Sequence, residues 1–80
     1  MITLQLYSRP QCHLCEILMG ELEPLVRGIA EVDIVDISED PDLARRYGLR
    51  IPVLVCDGEE LSVYRLDAER VRAFLATRVG

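Results

Sequence analysis

The sequence predicts an α/β fold in which a four-stranded mixed sheet is flanked by three helices in the order βαβαββα. Three observations carry this expectation. Apolar and polar residues alternate in "MITLQLY", apolar residues recur at helical spacing after Cys12, and Asp57-Gly58 separates two apolar runs. A chain of 80 residues makes one domain, here residues 1–80, and folds alone only if nearly every element feeds one core.

In the first run, Ile2, Leu4 and Leu6 alternate with Thr3 and Gln5, the period of a strand with one well-buried face. Cys15, Leu18, Leu22 and Leu25 then recur every three or four residues, so a helix begins near Cys12 and ends near Gly28. Pro24 removes a backbone donor and clashes with the preceding turn, so the helix is expected to kink there or to restart with Pro24 in a first turn. "EVDIVDI" supplies a second strand, joined to the first by a helical crossover and therefore parallel to it. Asp40 suits an N-cap, Pro41 a first helical position and Gly48 the left-handed residue after a short second helix. "PVLVC" and "LSVYR" read as strands separated by "DGEE", with Asp-Gly forming a tight antiparallel turn. Asp67 caps a last helix whose Val71, Phe74 and Leu75 face inward.

Composition narrows the function. Trp is absent and the aromatics are Tyr7, Tyr47, Tyr64 and Phe74, so the core must be built mainly from Leu, Ile and Val. The net charge of −5 argues against nucleic acid, which needs a basic face. No apolar run approaches the length of a membrane span, and the N-terminus has no basic segment leading into a long apolar one, so a cytoplasmic monomer is expected. The three cysteines are too few, and oddly numbered, for a secreted disulfide framework.

Cys12 and Cys15 have the C-x-x-C spacing at the predicted start of a helix. Because the thiolate is the attacking species, a redox cysteine needs a place where negative charge is favoured. A helix N-terminus provides one, with a stabilisation of about 0.3 to 2 kcal/mol. Cys12, after the turn formers Ser8 and Pro10, is at that end and is expected to attack; Cys15, one turn in and less exposed, is expected to resolve. Three other readings stand beside this one: a structural disulfide, two core cysteines, and half of a zinc or iron–sulfur site completed by His13 or a second chain. Haem attachment requires His after the second cysteine, where Glu16 stands. His13, if protonated, would favour the Cys12 thiolate; otherwise it is a solvated tip residue. Cys56 reads as a core residue.

C-x-x-C opening a helix after the first strand, followed by Ile51-Pro52 before a later strand, resembles the thioredoxin superfamily over the whole chain. The size is similar to a glutaredoxin, so the resemblance implies a thioredoxin-like, glutaredoxin-type fold. It implies a thiol–disulfide oxidoreductase that cycles Cys12 and Cys15 between dithiol and disulfide. Pro52 would be the cis-proline beside the active site, and Arg9, Arg50, Ile51 and Asp67 would join His13 in binding substrate. No bound cofactor is implied; glutathione would be a co-substrate, or a protein disulfide the substrate, with a reductase as partner. Several residues depart from the glutaredoxin pattern. His13-Leu14 replaces Pro-Tyr, Arg50-Ile51-Pro52 replaces Thr-Val-Pro, and "DGEELSVYRLDAE" stands where a Gly-Gly-x-Asp signature helps hold the glutathione carboxylates. Asp57, Glu59 and Glu60 would repel an anionic tripeptide if they faced the groove. "RYGLRIPVLV" is similar to the thioredoxin segment before its cis-proline, which keeps a protein disulfide reductase independent of glutathione as an alternative.

Overall fold

The computed structural model describes residues 2–79; Met1, assigned from the sequence to the first strand, and Gly80 lie outside the described residues. The observed order is β1 (Ile2–Ser8), α1 (His13–Val26), β2 (Ala30–Asp36), a 3₁₀ turn (Ile37–Glu39), α2 (Pro41–Tyr47), β3 (Val53–Cys56), β4 (Glu59–Val63) and α3 (Ala68–Val79). The strands lie in the order β2-β1-β3-β4, with β1 parallel to β2 and antiparallel to β3, and β3 antiparallel to β4.

Alternation along the strands divides the interior into two layers. Leu4, Leu6, Leu54 and Cys56 point to the side of α1 and α3, where Leu18, Leu22, Val26, Val71, Phe74 and Leu75 meet them. Val53 and Val55 point the other way and pack with Ile37, Tyr47, Cys15 and Ile51. Six leucines are at most 1% exposed, each contributing about 1.5–3 kcal/mol of hydrophobic stabilisation. Leucine burial therefore replaces the aromatic packing that the composition withholds.

Pro24 does not restart α1. The helix continues to Val26 because Leu22 and Val26, both buried, straddle the exposed proline. Pro24 has no N–H to offer the carbonyl of Gly20, but it lies so near the end of the helix that little of the ladder is affected. Gly28 then takes a φ of +75°, and the N–H of Ile29 bonds back to the carbonyl of Val26 at 2.8 Å.

Gly48 differs from expectation. Its φ and ψ are −52° and −37°, so the chain leaves α2 in the right-handed sense, and Arg50 and Ile51 both donate to the Tyr47 carbonyl. Glycine is needed for space: a Cβ here would collide with the carbonyl oxygen of Ala44. Asp40 caps α2 as expected, its Oδ1 accepting from the N–H groups of Asp42 at 2.9 Å and Leu43 at 3.3 Å.

The hairpin turn is only Asp57-Gly58, with φ of 52° and 80°, and Glu59 and Glu60 belong to β4. Tyr64 and Arg65, expected in that strand, lie beyond it. Tyr64 has a φ of +74°, and its N–H donates to the carbonyl of Pro52 at 2.8 Å, tying this turn to the proline loop. Asp67 accepts from the N–H of Arg70 at 3.1 Å and so caps α3.

Two glycines give contrasting expectations. Gly48→Ala should lower stability by about 1–3 kcal/mol because backbone must move, whereas Gly20→Ala, where a Cβ meets nothing within 4 Å, should raise it by up to about 1 kcal/mol. Urea unfolding of both variants checks this; equal midpoints would show that the Ala44 contact carries no cost.

Candidate functional site

Strand β1 delivers its C-terminal residue Ser8 into a tight turn in which Gln11 takes a φ of +59°. Cys12 follows in an extended conformation as the N-cap of α1, its Sγ accepting from the N–H of Cys15 at 3.2 Å. The two residues are joined by a disulfide with Cα atoms 5.2 Å apart. Cys12 is partly exposed and Cys15 is 5% exposed. The sulfur at the positive end of the helix is thus the one that solvent reaches.

Beside the pair lies a groove of about 540 Å³, floored by Leu6, Met19 and Ile34 and bordered by Arg9 and Glu16. Ile34 is 59% exposed on the edge strand, so the groove has an apolar wall open to solvent. Arg9 is exposed and makes no ion pair among the described residues. His13 is the first residue of α1, fully at the surface, with Nδ1 3.9 Å from Glu16.

On the other side of the pair, the Ile51–Pro52 bond is cis and both residues are buried. Ile51 packs in one cluster with Cys15, Tyr47 and Val53, and Cys12 rests against it. Tyr7 and Tyr47 stack within this layer, their ring centroids 4.3 Å apart. In the sequence Tyr7 shares its phase with Thr3 and Gln5, opposite Leu4 and Leu6, and the signal that reaches this layer is Tyr47, four residues after Leu43 on one helical face.

Arg50 is not the free cation the sequence led one to expect. Its Nη1 and Nη2 donate to the two carboxylate oxygens of Glu60, each at 2.9 Å. This bond holds the Glu60 carboxyl below its usual range and pushes the guanidinium pKa up. The neighbouring acids are also paired, Glu59 with Arg70 at 3.4 Å and Asp57 with Arg78 at 3.3 Å. The expected repulsive cluster is therefore neutralised side chain by side chain. Asp67 stands apart from the groove at Cys12, in a shallow depression with Ser62 and Arg65, and its carboxylate is engaged in capping.

Cys56 is 2% exposed on β3, its Sγ donating to the Thr3 carbonyl at 3.4 Å. Burial pushes its thiol pKa up, with Asp57 and Glu59 adding to the effect against Arg78. It faces α1 and α3, whereas Cys15 belongs to the opposite layer. Among the described residues, no three His, Cys, Asp or Glu side chains gather as metal ligands.

A four-stranded mixed sheet flanked by three helices, with a C-x-x-C pair at the start of the first, is the architecture of a thioredoxin-fold protein. A family model, the glutaredoxin-like domain (DUF836), matches residues 3–76, and the chain belongs to that family. The solution structure of protein Ne2328 from Nitrosomonas europaea is 33% identical, with a TM-score of 0.82 over 91% of this chain and 89% of that one. The X-ray structure of target protein XcR50 from X. campestris is 40% identical, with a TM-score of 0.71 over 92% of this chain and 96% of the other. A point-mutant thioredoxin from Halobacterium salinarum NRC-1 is 26% identical, with a TM-score of 0.58 over 99% of this chain and 75% of its own.

Two measurements follow. In reduced, folded protein Cys56 should resist alkylation that reaches Cys12, and denaturant should expose it; mass spectrometry of alkylated peptides reads this directly. Because the Glu60 pKa is depressed in the folded state, its pairing stabilises above the ordinary glutamate pKa and the benefit is lost as pH falls through the folded value. With both partners more than a third exposed, the effect should be at most about 1 kcal/mol, and Glu60→Gln should flatten the acid limb of stability against pH.

Proposed function

We propose that the protein is a thiol–disulfide oxidoreductase that cycles Cys12 and Cys15 between dithiol and disulfide. The observation that supports this most directly is the partly exposed Cys12 Sγ at the N-terminus of α1, within bonding reach of a buried Cys15.

In the reductive direction the Cys12 thiolate attacks one sulfur of a target disulfide. A mixed disulfide forms and the other target sulfur leaves as a thiolate, which takes up a proton. Cys15, deprotonated, then attacks Cys12 Sγ, closing the Cys12–Cys15 disulfide and releasing the second target thiol. Two electrons pass from the protein to the target, and two thiols of a reductant, either glutathione or a dithiol reductase, restore the starting state. The electrons reside in the sulfurs throughout, so the cycle needs no bound cofactor. A reducing compartment such as the cytoplasm suits this direction.

The remaining site residues support particular roles in this scheme. Ile51, directly before Pro52, belongs to the buried cluster that holds Cys15 and against which Cys12 packs, which supports a role for this segment in positioning the pair. Arg9 offers a positive charge beside the apolar groove, where it favours the Cys12 thiolate and attracts an acidic target segment. His13, exposed next to Cys12, adds positive charge when protonated. Asp67 serves first as the cap of α3.

Cys12→Ser should abolish reduction of a protein disulfide such as insulin with dithiothreitol as the electron source. Cys15→Ser should accumulate a mixed disulfide on Cys12 that gel electrophoresis without reductant traps. Preferential alkylation of Cys15 in the reduced protein near neutral pH would reverse the two roles.

A further inference from the structure

The Arg50–Glu60 contact belongs to a larger arrangement. The guanidinium carbons of Arg46 and Arg50 both lie over the ring of Tyr47, at 5.3 and 5.4 Å from its centroid. Arg50 Nη2 also donates to the backbone carbonyl of Arg46 at 3.5 Å, which holds the Arg50 guanidinium to the end of α2. Tyr47 is buried in the same cluster as Cys15 and Ile51, and Arg50 immediately precedes the Ile51–Pro52 bond. A planar, bidentate cation with a second cation close by, fixed on an aromatic ring, is a receptor for a carboxylate. That receptor adjoins, through Tyr47 and Ile51, the buried cluster that holds Cys15, and it is already filled by the chain's own Glu60, which feels both arginines.

We propose that Glu60 is a resident carboxylate that occupies this arginine site and thereby sets specificity, excluding free acidic peptides of the glutathione class. The inference rests on the oxidoreductase reading for its meaning, but the binding it describes is measurable without any redox step. An intramolecular carboxylate competes at an effective concentration in the millimolar range or above. An external carboxylate must displace it, and a small anionic tripeptide has few other contacts with which to do so. A disulfide in a folded protein reaches Cys12 differently, through apolar contact with Met19 and Ile34 in the neighbouring groove. The pairing of Glu60 therefore selects against one class of substrate while leaving the other a route.

The test uses S-methylglutathione, which carries the peptide's carboxylates but no reactive thiol, so binding is read separately from turnover. Titration followed by the NMR signal of the Arg50 Nε–H should show the Glu60→Gln protein binding about tenfold more tightly than the wild type, the scale of one freed charge-assisted bond. Arg50→Ala introduced into Glu60→Gln should remove that gain. Glu60→Ser, with different packing but the same loss of charge, should reproduce it if Glu60→Gln folds poorly. In turnover, Glu60→Gln should raise the ratio of glutathione mixed-disulfide reduction to insulin reduction, both driven by dithiothreitol. Binding by the variants no tighter than by wild type, or a gain that survives Arg50→Ala, overturns the proposal. If neither disulfide is reduced by wild type, the oxidoreductase reading fails, and the titration still decides whether Glu60 fills an anion site.

Discussion

The end of the molecule that carries the cysteine pair depends on a single local arrangement, the sulfur of Cys12 acting as the N-cap of α1. The Sγ accepts the N–H of Cys15 where serine or aspartate would ordinarily offer oxygen. This places the more accessible sulfur among unpaired backbone donors and at the positive end of a 14-residue helix. The arrangement holds because each end is fixed. On one side β1 is hydrogen-bonded between β2 and β3, and on the other Leu18, Leu22 and Val26 bury the helix in the core. The turn between them carries the cost, about 1–3 kcal/mol for a left-handed glutamine at position 11. Leucine burial several times larger offsets it.

The two sides of the sheet have different jobs as a result. The layer under α1 and α3 is mostly aliphatic, with Phe74 among its leucines and valines, and it includes Cys56, whose thiol is deep enough to serve as a small apolar side chain. The layer toward α2 reaches Cys15 and carries the stacked tyrosines, the cis-proline segment and the arginines. The cysteine pair belongs to the second layer and to the helix start above it. The first layer keeps α1 from moving.

Features fixed within a few residues were legible in the sequence. Asp40-Pro41, Asp57-Gly58 and Asp67 announce a cap or a turn by their own chemistry, and Cys12 and Cys15 by their spacing. Gly48 misleads because glycine has two uses. A left-handed φ is the commoner one after a helix, but the close approach of the Ala44 carbonyl is visible only in three dimensions. Pro24 leaves two outcomes open locally, a kink or a restart, and only the burial of Leu22 and Val26 on either side of it shows that the helix runs on through it. Arg50 shows the same limit at the site: its partner is ten residues away, and nothing local indicates that β4 will present Glu60 to it.

What presents Glu60 to Arg50 is the phase of the β3–β4 hairpin. Directly after the two-residue turn, Cys56 pairs with Glu59 and Val55 with Glu60. Residues opposite each other share a face, so Glu59 follows Cys56 toward the helical layer where Arg70 waits on α3. Glu60 follows Val55 to the other face, toward Tyr47 and Arg50. The register then shifts between Leu54 and Val55, so that Leu61 and Ser62 are both buried in succession. This irregularity comes after the acidic pair and leaves its phase untouched. A slip of one residue at the turn would exchange the faces of Glu59 and Glu60 and remove the carboxylate from Arg50. The Asp57-Gly58 turn, which has room for no third residue before Glu59, thus determines whether the arginine site over Tyr47 is filled or open.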